Sequence, residues 1–91
     1  RREHIDLRDA ATRAVETIRP LMEARRHKLT VRLPDEPVPV WADPTRLAQV
    51  VGNLLNNAAK YSEDQTPIEL EVRREGTSAV VSVRDQGVGI A

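Results

Sequence analysis

Between Asp43 and Ser62 the chain spaces its apolar residues in the pattern of an amphipathic helix. Leu47, Val50, Val51, Leu54, Leu55 and Ala58 fall at i, i+3, i+4, i+7, i+8 and i+11, which makes one broad stripe. Asp43 is placed to cap this helix, and Pro44 takes the first helical position, where a missing N–H costs nothing. Yet Asn53, Asn56 and Asn57 sit at the helix centre, and asparagine side chains compete with the backbone for hydrogen bonds. Such a conflict between propensity and pattern is typical of functional sites.

At about 100° per residue, with Asn53 at zero, Asn57 falls near 40°, Lys60 near −20° and Gln49 near −40°; the apolar stripe spans roughly 60° to 200°. Two amides and an ammonium therefore share one edge of a helix whose other side is core. An asparagine carbonyl is a neutral hard oxygen suited to Mg²⁺, and a nearby lysine suits phosphate. A solvent-facing polar stripe would have the same composition, so the pattern alone leaves both readings open.

The remaining elements fit around this helix. Leu7, Ala10, Ala11, Ala14, Val15, Ile18, Leu21 and Met22 predict a first helix from about Asp6, its N-cap, to His27, kinked or interrupted at Pro20. Arg25, Arg26 and Lys28 read as a solvated helix end, and His27 as a polar residue beside them. Leu29, Val31 and Leu33 alternate as a strand, and Pro34, Pro37 and Pro39 mark a loop with a short edge strand near Val38–Trp41. Ile68, Leu70 and Val72, then Ala79, Val81 and Val83, read as an antiparallel hairpin around Gly76.

Composition removes several classes. The 91 residues hold 14 basic and 14 acidic side chains, so no basic nucleic-acid footprint is present. With no Cys, a disulfide scaffold or thiolate zinc site is excluded. Trp41 and Tyr61 are the only aromatics of the Phe, Trp and Tyr set, too few for a base-stacking platform. No apolar run approaches the roughly 18 residues of a membrane span.

Asp85 continues the period-2 pattern of Val81 and Val83, which points its carboxylate to the buried face at a strand end. Gly87 and Gly89 follow in a turn that allows a ligand close to the backbone. An acidic acceptor beside such a turn suits adenine. The exocyclic amine donates to the carboxylate, whereas guanine would present an oxygen there. Gly-x-Gly alone also fits a simple loop.

Taken together, these segments resemble the ATP-binding domain of sensor histidine kinases, within the wider gyrase, chaperone, histidine kinase and MutL ATPase superfamily. Residues 42–62, with Asn53-Leu54-Leu55-Asn56-Asn57-Ala58-Ala59-Lys60-Tyr61-Ser62, resemble the family's N box. Residues 83–90, Val83-Arg84-Asp85-Gln86-Gly87-Val88-Gly89-Ile90, resemble its first glycine box. The opening Ile5-Asp6-Leu7 and the helix with Pro20 resemble the start of that domain. The resemblance implies an α+β fold, a two-layer sandwich of the Bergerat type with helices on one face of a mixed or antiparallel sheet. It implies ATP and Mg²⁺ as cofactors. It makes Asn57 the principal metal ligand and Asn53 a second contact to metal or phosphate. Lys60 would approach the phosphates, Tyr61 the nucleotide rings and Asp85 the adenine amine, while Gly87 and Gly89 shape the pocket wall.

Hydrolytic relatives place a glutamate one turn before the metal-binding asparagine, to activate water. Asn53 stands there instead and cannot be a general base. The resemblance is thus to the phosphotransfer branch, with a related ATP hydrolase or a non-catalytic regulatory module of the same fold as the alternatives. It implies a histidine on a separate dimerisation domain as nucleophile, a response regulator as onward acceptor, and a cytoplasmic location whether or not the parent spans a membrane. His4 resembles a phosphoacceptor only superficially, because the acid follows one place late; it reads as a surface residue. The family's lid and second glycine box would follow Ala91. Their absence predicts weak ATP binding by these 91 residues alone, and an unfinished sheet prone to self-association.

Overall fold

The computed structural model describes residues 1–85. Along them run β1 (Glu3–Asp6), α1 (Leu7–Ala24), β2 (Leu29–Arg32), β3 (Pro39–Ala42), α2 (Pro44–Tyr61), β4 (Ile68–Glu75) and β5 (Ser78–Asp85). Strands β2, β4 and β5 form a mixed sheet in that order, with β2 parallel to β4 and β4 antiparallel to β5. Strands β1 and β3 pair separately, antiparallel, with Ile5 opposite Val40.

The period-2 and period-3.6 patterns meet in one core. Leu7, Ala10, Ala11, Ala14, Val15, Ile18 and Met22 of α1 and Val51, Leu55 and Ala59 of α2 pack with Ile68, Leu70 and Val72 of β4. Val81 and Val83 of β5 close against the same face. Helices thus lie on one side of the sheet, as expected. On the other side Glu69 of β4 is buried between Arg32 of β2 (2.5 Å) and Arg84 of β5 (2.6 Å). Arg84 and then Arg32 hold its carboxyl below the ordinary 4.5. The central strand is therefore covered on both faces, apolar toward the helices and ionic away from them.

Several expectations are corrected. Helix α1 runs through Pro20 without interruption and ends at Ala24, three residues short of His27. Pro20 is exposed, so its ring faces water rather than a packed neighbour. Strand β1 was not anticipated, because only Ile5 marks it in the sequence and its partner lies far along the chain. Val50 and Leu54, assigned to the core stripe of α2, are 55% and 41% exposed. Helix α1 and the sheet together cover an arc of α2 that stops short of them.

Asp6 locks the start of α1 to the segment before β3. Its Oδ1 accepts from the backbone N–H of Arg8 and of Val38, both at 3.0 Å. Its Oδ2 takes Nε and Nη2 of Arg8, whose Nη1 reaches the carbonyls of Pro34 and Asp35.

Candidate functional site

Helix α2 carries the amides, and its ends fix where they stand. At the N-terminus Asp43 Oδ1 accepts from the N–H groups of Thr45 (2.9 Å) and Arg46 (3.2 Å). Burial of Val51, Leu55 and Ala59 then sets the rotation of the helix about its axis. That rotation leaves Asn53, Asn57 and Lys60 exposed on one edge. Between this edge and the core lie Val50, Leu54 and Tyr61, at about 60° to 100° on the same wheel, and all three are exposed. The open side of α2 thus passes from amide oxygens to apolar surface, a combination suited to a ligand with one charged end and one flat apolar end. Lys60 Nζ lies 5.7 Å from the centroid of the Tyr61 ring, so the cation sits over an aromatic face.

Asp85 is the last described residue of β5 and pairs with Ile68, on the face shared by Val83 and Val81. The predicted face is therefore correct, but the predicted burial is not. Asp85 is exposed. Among the described residues, Ser62 Oγ–H donates to its carboxylate, 2.7 Å from Oδ2. Ser62 is the C-cap of α2 and is only 7% exposed. Sequence reasoning gave it no role, although its place directly after Tyr61 at the helix end was the available signal.

The end of α2 is gripped from α1. Arg25 was read as part of a solvated helix end. Instead its Nη1 donates to the carbonyls of Ala59 (2.7 Å) and Lys60 (2.8 Å), its Nη2 to that of Ser62 (3.0 Å), and its Nε to Asp64 (2.8 Å). His27 is likewise not a surface residue but 7% exposed, with Nδ1 2.8 Å from the Thr66 carbonyl and Nε2 3.1 Å from that of Ala59. The chain reverses at Arg26, in the left-handed region at φ 58°, and this turns both side chains onto the neighbouring helix. Among the described residues, no buried side-chain nitrogen or oxygen lacks a partner.

The fold brings Asp85 to the C-terminal end of the helix that bears Asn53, Asn57, Lys60 and Tyr61. A cavity of about 570 Å³ lies elsewhere, between α1 and α2, and includes only Asn53 of the predicted set, with Gln49, Asn56 and Arg13 beside it. Gly87 and Gly89 lie outside the described residues. Among the described residues no cluster of three His, Asp or Glu side chains could hold a metal. Asn53 and Asn57 offer two exposed amide side chains on one edge of α2. His4 is exposed and packs edge-on against Trp41, with 4.6 Å between ring centroids. No helix is long and apolar enough to cross a membrane among the described residues.

Residues 42–91 match the family described as histidine kinase-, DNA gyrase B- and HSP90-like ATPase. The chain is 38% identical over 85 residues to the alginate biosynthesis sensor protein KinB of Pseudomonas aeruginosa, covering 93% of this chain and 14% of KinB. It is 51% identical over 57 residues to the sensor histidine kinase RcsC of Escherichia coli, covering 63% of this chain and 6% of RcsC. Its fold is similar to the catalytic domain of the histidine kinase ThkA, with a TM-score of 0.87 and 22% identity, over all of this chain and 62% of that one. The chain thus spans a small part of the length of its sensor relatives and somewhat less than two thirds of the ThkA domain.

Proposed function

Because the chain belongs to the histidine kinase-, DNA gyrase B- and HSP90-like ATPase family and its relatives are sensor histidine kinases, we propose that it is the part of such a kinase that binds ATP and presents the γ-phosphate to a histidine on a dimerisation domain. From that histidine the phosphoryl group passes to a response regulator. The observation that carries this reading is the Ser62–Asp85 hydrogen bond at 2.7 Å. It joins the carboxylate that precedes Gly87 and Gly89 in the sequence to the end of the helix that bears both amides.

Each residue then has one task. Asp85 accepts the 6-amino group of adenine. The apolar strip of Leu54 and Tyr61 lies alongside the rings, and Lys60 meets the phosphates. Asn57 and Asn53 would hold Mg²⁺ through their amide oxygens, and the bound ion would offset the triphosphate charge. Phosphoryl transfer needs little covalent help from protein groups, so positioning and charge carry the rate. None of these side chains is the nucleophile, and Asn53 cannot deprotonate water, which favours transfer to a histidine over hydrolysis.

Autophosphorylation by the protein that carries this chain is the direct test. Asn57→Ala should reduce it by about a hundredfold or more while leaving the fold intact by circular dichroism. Undiminished labelling in that variant would remove the metal-binding assignment.

A further inference from the structure

An aspartate at an exposed strand end can swing its carboxylate through several orientations, and a swinging acceptor discriminates poorly between ligands. Asp85 stands at such a place, yet it is not left to swing. A carboxylate only accepts, so the Ser62 hydroxyl is the donor to Oδ2. Ser62 is in turn held by its other polar groups. Its N–H donates to the Ala58 carbonyl at 3.1 Å, and its own carbonyl takes Arg25 Nη2 at 3.0 Å. Arg25 and His27 pin the preceding carbonyl of Ala59 from the side of α1. The hydroxyl is thus aimed from a rigid helix end, at a residue shielded from water.

We propose that Ser62 is a positioning residue for nucleobase selection: it fixes the Asp85 carboxylate so that the pocket accepts a 6-amino purine and rejects a 6-oxo purine. The inference rests on the reading of Asp85 as the adenine acceptor. It adds a residue whose effect is confined to the base and does not extend to the phosphates. The backbone at Ser62, φ −89° and ψ 151°, is extended and suits a β-branched side chain. Threonine can therefore replace serine with its hydroxyl kept.

The test compares Mg-ATP, Mg-GTP and the magnesium complex of purine riboside triphosphate, which lacks the 6-amino group, by calorimetric titration of the protein that carries this chain. Wild type should prefer ATP to both. Ser62→Ala should lose about tenfold in affinity for ATP and little for the purine riboside triphosphate, so the ratio between them collapses. Ser62→Thr should restore it. An equal loss for all three nucleotides would make Ser62 a general support of the fold and overturn the proposal, as would an unchanged ratio. Asp85→Asn separates this from the underlying reading. If that variant loses its preference for ATP while Ser62→Ala keeps it, only the role of Ser62 fails. If Asp85→Asn keeps the preference, or wild type binds no ATP, both readings fall.

Discussion

Asp6 illustrates how much one side chain can organise. It caps α1, holds the N–H of Val38 and pairs with Arg8, which reaches two further carbonyls. Its carboxyl is lowered from 3.8 to about 2, chiefly by the Arg8 guanidinium and then by the N–H groups of Val38 and Arg8, with burial opposing them. A group whose folded value is depressed stabilises above its unfolded value and loses that contribution as the pH falls. The contribution should therefore be present above pH 3.8 and be lost as the pH falls through about 2. Urea midpoints measured across that window should fall steeply. Asp6→Asn should flatten the fall and cost about 1 kcal/mol near neutrality, allowing for solvent screening of a part-exposed pair. A pH curve parallel to wild type would clear Asp6 of responsibility. The capping role was legible from Asp6 standing before an apolar period. The bond to Val38 was not, because nothing in local sequence says which loop folds back onto a helix start.

At the scale of elements, the patterns with a strong period were readable and the contacts between element ends were not. Helix α2 starts and stops where Asp43-Pro44 and Ser62 predict, and the hairpin of β4 and β5 turns at Gly76, φ 61°, where glycine is suited. Burial of Val50 and Leu54 was over-assigned because periodicity reports a stripe, not how wide a neighbour covers it. Arg25 and His27 escaped notice because polar residues after a helix ordinarily face water, and only the Arg26 turn redirects them. Arg25 now satisfies three carbonyls that α2 leaves open at its end. Arg25→Ala should cost about 2 kcal/mol, about 10 °C in melting temperature for a domain of this size. It should also speed amide exchange in the last turn of α2. Arg25→Lys should recover little, since an ammonium cannot fork across several acceptors. A full recovery by lysine would mean that charge, not geometry, supports the helix end.

For the molecule as a whole, the composition already required an aliphatic core, and the structure supplies one built on Leu55, Ile68, Leu70, Val38 and Val51. Apolar surface remains outside it at Trp41, Val50, Leu54 and Tyr61. As an isolated polypeptide the 91 residues should self-associate. Sedimentation at roughly a hundred micromolar should reveal dimers or larger species, diminished by Val50→Lys with Leu54→Lys; a lone monomer boundary would refute this. The parallel pairing of β2 with β4 has a consequence for assembly. Leu29 meets Ile68 only after the whole of α2 has crossed between them, whereas Glu75 at the end of β4 meets Ser78 at the start of β5 across a two-residue bend. Loop-closure entropy makes the nearby pairing quick and the distant one slow. The hairpin ending in Asp85 is thus the natural nucleus, and the Asp6 half of the chain the latecomer that docks onto it.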